Sequence, residues 1–167
     1  MRKQILAPLA AGVLLALAGA AQAATKTASF TVSASVGKNC IISAGDLALG
    51  EFVGDNNLTQ TSDIDIRCTA GTAYTILLDA GGSGDYAART MTNGTDVLVY
   101  NLYTTPLHAV VWGNDSGDTD VVTGLGAGMG ALNEITHTVY GRVLASDNEG
   151  PIGTGAYSDT IVATISY

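Results

Sequence analysis

The sequence predicts an all-β protein, an antiparallel sandwich of about seven or eight short strands. Three observations carry that prediction. Apolar residues recur with period two in several runs, and no window carries an apolar stripe of helical period. Clusters of Gly, Asn and Asp separate those runs. The chain has 167 residues, 47% of them apolar, which is enough for one packed core and too much for general disorder. A β-barrel is the structural alternative, and neither a second domain nor an internal repeat is visible.

The first 23 residues stand apart from that fold. Arg2 and Lys3 make a short positive start, Ile5–Ala21 is entirely apolar or small, and Ala21-Gln22-Ala23 supplies small residues at the two positions a signal peptidase reads. Residues 1–23 are therefore expected to be a secretory signal. The run is short for a membrane span and contains Pro8 and Gly12, and no positive stop-transfer cluster follows. The whole chain carries 15 acidic and 7 basic side chains, net −8; without Arg2 and Lys3 the balance is 5 against 15, net −10. That sign disfavours nucleic acid and anionic membrane surfaces, which need clustered Lys and Arg.

The strands follow in order. Phe30, Val32, Ala34 and Val36 alternate with Thr31, Ser33 and Ser35. Ile64 and Ile66 alternate with Asp63, Asp65 and Arg67. Tyr74, Ile76 and Leu78 form the next run, and Leu98, Tyr100 and Leu102 interleave with Val97, Val99 and Asn101. Val139–Leu144 and Thr160–Tyr167 complete the set. Between them lie turn clusters at Gly54–Asn57, Ala80–Asp85, Asn93-Gly94, Gly113–Asp120, Gly124–Gly130 and Asn148–Gly155. Asn93-Gly94 predicts a tight hairpin. Cys40 and Cys68, an even pair in an exported chain, read as a disulfide. The chain-entropy model assigns such a closure about 3.5 kcal/mol. Metal binding or catalysis by these cysteines would want further ligands, and His108 and His137 lie far off in sequence.

Candidate chemistry is sparse. Gly124-x-Gly126-x-Gly128-x-Gly130 lacks the Lys-Ser/Thr ending of a phosphate loop and no helix pattern follows, so a flexible loop is expected. Gly81-Gly82-Ser83-Gly84-Asp85 has Asp where a nucleophile elbow needs its last Gly, and reads as a turn. Asp115, Asp118 and Asp120 lack calcium-loop spacing and read as a solvated acidic loop. His108 and His137 read as surface or satisfied core residues, and Trp112 as core. No enzyme, catalytic residue, metal or cofactor is expected.

Both ends carry strand-like sequence. At the C-terminus Ile161, Ala163, Ile165 and Tyr167 alternate with Val162, Thr164 and Ser166, and residues 25–36 form a strand without an obvious hairpin partner. A strand of one molecule completing the sheet of another reconciles the two. Here the sequence resembles the archaic (Csu-type) chaperone–usher pilins, the spore coat protein U domain family. The resemblance rests on Phe30–Val36 ahead of Cys40, on Cys68, on Asp96–Tyr103, and above all on the ending Gly155–Tyr167, with its Gly, aromatic, Asp-Thr and alternating apolar close.

The resemblance implies an incomplete immunoglobulin-like antiparallel sandwich completed by donor-strand exchange, in which 24–36 is the donor strand and 37–167 the pilin domain. It implies that Phe30, Val32, Ala34 and Val36 are donated, that Ile161, Ala163, Ile165 and Tyr167 line the accepting groove, and that Cys40–Cys68 is the family's disulfide. Ala34 is small for a pocket-filling residue, so its contact should be weak. Implied partners are neighbouring pilin subunits in a homo- or hetero-polymer, a periplasmic chaperone and an outer-membrane usher. The implied route runs through the periplasm to a cell-surface fimbrium that supports adhesion and biofilm formation. A single domain with a donor segment fits a fibre subunit better than a tip adhesin. The main alternative is a self-contained periplasmic or secreted β-sandwich binding module, its N-terminal strand folded back on its own sheet. An envelope hydrolase dependent on His108 or His137 ranks last.

Overall fold

The computed structural model describes residues 23–167. The predicted export signal lies outside the described residues, apart from Ala23. The chain divides into two units, 1–35 and 36–167. In the first, residues 23–35 form no helix or strand, and the Phe30 and Val32 side chains are 87% and 82% exposed. The alternation at 30–36 thus occurs without a ladder. In the second unit Val36 is equally exposed, at 86%.

The second unit is the sandwich. Its first sheet runs in the spatial order β1 (Cys40–Ala44), β2 (Leu58–Cys68), β9 (Ile135–Val143), β5 (Val97–Tyr103), β6 (Val111–Trp112) and β7 (Thr119–Asp120), with β4 (Arg89–Thr92) also on β5. The second sheet runs β10 (Ala163–Ser166), β3 (Ala73–Leu78) and β8 (Val122–Leu125). Every ladder is antiparallel except β6 with β7. The all-β sandwich expected from the alternation is what forms.

Alternation explains the facing of the strands. Ile64, Ile66 and Cys68 of β2, Tyr74, Ile76 and Leu78 of β3, and Leu98, Tyr100 and Leu102 of β5 are buried, while Asp63, Asp65 and Arg67 point outward. Val139 and Val143 of β9 complete the floor of the core. On the outer face, Thr136 and Thr138 donate to Asp65 and Asp63 at 2.6 and 2.9 Å. The Asn93-Gly94 hairpin joins β4 to β5, with Thr92 opposite Val97. Asn93 Oδ1 accepts from the amides of Thr95 and Asp96 and so closes the loop.

Some elements depart from the sequence reading. β2 begins at Leu58, six residues before its apolar alternation, because residues 58–66 pair throughout with β9. The terminal run is a strand only at 163–166. The Gly124–Gly130 stretch is no loose loop. Gly124 lies within β8, and the amides of Gly126 and Gly128 donate to Thr72 O and Cys68 O at 2.8 and 2.9 Å.

Cys40 and Cys68 are disulfide-bonded and face each other as the first register pair of β1 and β2. Beside them the Thr69 amide donates to Asn39 O at 2.9 Å, and the Asn39 amide donates to Thr69 Oγ1 at 3.1 Å. The chain leaving toward Val36 is therefore clamped where it meets the sandwich.

One flank of the sandwich is sealed. A single residue, Val121, carries the chain from β7 in one sheet to β8 in the other. The Leu78 amide donates to Gly113 O at 3.0 Å, and the Trp112 indole donates to Ile76 O at 3.0 Å. Beneath them lies Arg89, fully buried. Its guanidinium donates to Asp79 O, Asn101 Oδ1 and Trp112 O at 2.7–3.1 Å. Burial lowers its pKa, yet these acceptors and the Tyr86 ring face satisfy the charge.

Candidate functional site

The opposite flank is open. Among the described residues β1 has a ladder with β2 alone, and β10 with β3 alone, so each sheet ends there on an unpaired edge. Between the edges lies a cleft of about 700 Å³. Its floor is Ile64, Leu78, Tyr100, Leu102 and Val139, contributed by both sheets. One wall is the segment from Ala44 to Gly50 and the other is the segment from Tyr157 to Ala163. A second cavity of about 650 Å³ shares Leu49, Gly50, Met91 and Tyr157 with the first and reaches Leu58, Leu98, Val143 and Ile152. Together they make a long apolar furrow.

The first wall exists because β1 peels away from β2. The Gly45 amide still donates to Asp63 O at 2.9 Å, and Ser62 Oγ donates to Gly45 O at 2.8 Å. Beyond that point the backbone of Asp46–Phe52 makes no hydrogen bond among the described residues. Packing holds it instead. Leu47 and Leu49 sit against Gly141 of β9, where an added Cβ would collide with the Leu47 methyl.

The second wall is held by carboxylates. Ser158 and Thr92 exchange backbone hydrogen bonds at 3.0 and 3.1 Å, which ties the segment to β4. Four residues on, Val162 is tied to the other sheet: its amide donates to Asp79 Oδ1 at 3.0 Å and its carbonyl accepts from the Asp79 amide at 3.1 Å. The chain changes sheets between these anchors. At the crossing Asp159 accepts from Tyr100 Oη at 2.6 Å, the Gly82 amide at 2.9 Å and the Thr160 amide at 2.8 Å. Burial, then the Asp159 carboxylate, push the Tyr100 pKa far above its ordinary value, so the phenol stays a donor. Gly81 has φ +64° and a Cβ there would strike the Asp159 carboxylate, which explains the glycine pair in that turn.

Of the residues expected in a groove, Ile161 and Ala163 line the cleft. Ile165 packs on the core beyond it, and Tyr167 is half exposed at the chain end. Sequence reasoning missed Leu47, Leu49, Met91, Tyr157 and Asp159. The alternation of Leu47 and Leu49 with Ala48 and Gly50 was the available signal for the first wall. Of the residues weighed for chemistry, His137 accepts or donates at 2.9 Å to Tyr74 Oη, and burial lowers its pKa. His108 packs edge-on against Tyr103, and Trp112 is core. Among the described residues no group of three or more His, Cys, Asp or Glu could hold a metal ion.

Comparison with known proteins agrees with this fold. The chain is similar to the CsuC–CsuE chaperone–tip adhesion subunit pre-assembly complex from the archaic chaperone–usher Csu pili of Acinetobacter baumannii. The TM-score is 0.57 at 22% identity, covering 80% of this chain and 40% of the matched chain. That likeness is one of fold, and this chain spans less than half of the chain it matches. It is 33% identical to Protein U of Myxococcus xanthus over 99% of its own length and 98% of that protein. The family model for the Spore Coat Protein U domain matches residues 26–164. The chain belongs to the Spore Coat Protein U domain family.

Proposed function

We propose that this protein is a pilus subunit, assembled by a chaperone–usher pathway through donor-strand complementation. The observation that carries the reading is the apolar cleft bounded by two unpaired strand edges. A third strand inserted there would supply side chains to the furrow and hydrogen bonds to both walls. The chain also carries a segment suited to the task. Phe30, Val32 and Val36 are apolar, alternate, and are exposed. Burying these three contributes about 5–9 kcal/mol at 1.5–3 kcal/mol each. Ordering the strand costs about 1–2 kcal/mol per residue, so ladder hydrogen bonds are needed as well.

In this reading residues 1–23 direct export, 24–36 are donated and 37–167 receive. Ile161 and Ala163 meet the incoming strand directly, while Ile165 and Tyr167 close the end of the wall. A periplasmic chaperone occupies the cleft first, and an outer-membrane usher exchanges it for the donor segment of a neighbouring subunit. The product is a cell-surface fimbrium serving adhesion and biofilm formation. The likeness to a chaperone–subunit complex and the family membership support this sequence of partners.

The test is a denaturing gel of surface-sheared material, unboiled and boiled, blotted for this protein. The expected result is a ladder of multimers that collapses on boiling to a band near the mature mass. Changing Phe30 and Val32 together to Asp should abolish the ladder. A monomer band in both lanes, confined to the periplasmic fraction, would overturn the reading in favour of a solitary binding module.

A further inference from the structure

The wall from Tyr157 to Val162 is held largely by side-chain bonds. Its two ends are tied to different sheets, Ser158 to β4 and Val162 to Asp79 beside β3. Between the anchors, the carbonyls of Asp159, Thr160 and Ile161 and the amide of Ile161 have no partner among the described residues. No ladder therefore dictates where this stretch runs. Side-chain bonds do so, and they converge on one carboxylate, which takes hydrogen bonds from Tyr100, Gly82 and Thr160. Hydrogen bonds to an ionised acceptor are short and about twice as strong as neutral ones. The Gly81-Gly82 turn and the Asp159-Thr160 pair of the terminal motif, unrelated in sequence, are the two halves of this lock.

We propose that Asp159 is a positioning residue for strand uptake, holding the sheet-crossing wall so that the free backbone of Asp159–Ile161 faces the cleft in register for an incoming strand. This rests on the strand-donation reading above. The carboxylate acts through the wall, by sparing the incoming strand the cost of ordering that wall. Tyr100 serves the same lock from the floor, and its phenol stays protonated because it is buried against Asp159.

The experiment measures capture of a labelled synthetic peptide, residues 24–36, by the purified mature chain. Asp159→Ala should slow capture about tenfold, the equivalent of one lost charge-assisted hydrogen bond. Tyr100→Phe, which keeps both amide bonds, should slow it by a smaller factor. In the Asp159→Ala background the second change should add nothing, since both act on one lock. Trp112→Phe, on the sealed flank, controls for stability: it should lower the urea midpoint and leave the capture rate unchanged. A purely structural Asp159 would behave like that control, so wild-type capture rates in folded Asp159→Ala overturn the inference. Should that variant fail to fold, Tyr100→Phe decides in the same way. If the wild-type chain takes up no peptide, strand donation itself falls, and this inference with it.

Discussion

The two flanks of the sandwich solve the same problem in opposite ways. At the sealed flank the chain itself crosses between sheets at Val121, and a buried guanidinium saturates three carbonyl-type acceptors. At the open flank both sheets stop on unpaired edges, and Asp46–Phe52 runs past without hydrogen-bonding to anything described. Unpaired edges and exposed apolar rows are what folded chains ordinarily cover. The difference teaches that this domain is finished on one side by its own sequence and left unfinished on the other. The cleft there is apolar along its floor and walled by backbone without partners among the described residues.

The contrast can be broken at the sealed side first. Arg89→Met removes the donor shared by Asp79 O, Trp112 O and Asn101 Oδ1. Asn101 Oδ1 keeps the Leu102 amide, so two carbonyls lose a donor, and at about 1–3 kcal/mol each the loss should reach about 2–6 kcal/mol. Urea denaturation of the mature protein measures it, and a loss below 1 kcal/mol would mean that the seam does not depend on this residue. Replacing both Cys40 and Cys68 by Ala should cost about 2–4 kcal/mol in the same assay. At the open side the same kind of truncation should be mild. Leu49→Ala, at a half-buried wall position, should cost about 1 kcal/mol while markedly weakening capture of the 24–36 peptide. Equal stability losses at Leu49 and at a sealed-flank core position would erase the distinction between the flanks.

The smallest effect concerns pH. His137 faces the interior and bonds to Tyr74, and burial depresses its pKa below the usual 6.5. In the window below 6.5 the unfolded chain binds a proton that the folded one resists, so this site's contribution is lost as pH falls through that window. His137→Gln should therefore flatten the fall in stability between pH 7 and pH 5. An unchanged slope would place the acid sensitivity elsewhere.

Much of this was legible in the sequence, for a physical reason. Ile64, Ile66, Tyr74, Ile76, Leu98 and Tyr100 lie on strands with one dry face and one wet face, and that asymmetry is what period-two alternation records. β4 escaped because its buried residue is Arg89, which no hydrophobic pattern would send inward. β1 escaped because, as an edge strand, it buries Cys40 alone while Ile41 stays exposed. Ile161 and Ala163 were placed in a groove by the resemblance that the terminal motif carries, and both line the cleft. The opposite wall was not read, because Leu47 and Leu49 are interleaved with Ala48 and Gly50 and form no strand. The role of Asp159 was out of reach. It depends on partners 59 and 77 residues away, at Tyr100 and Gly82, and nothing local announces such a meeting.

The clamp at the root of the N-terminal segment has a mechanical consequence. A pull on residues 24–36 enters the sandwich at Gly37–Cys40, next to the Thr69 bonds. Without a bridge that tension would fall on β1, a five-residue edge strand that could be peeled one hydrogen bond at a time. The Cys40–Cys68 bond diverts the load at the first register pair into β2, an eleven-residue strand flanked on both sides. The covalent link thus makes the edge strand β1 a bystander to tension, and a reduced molecule should unravel from this corner at far lower force.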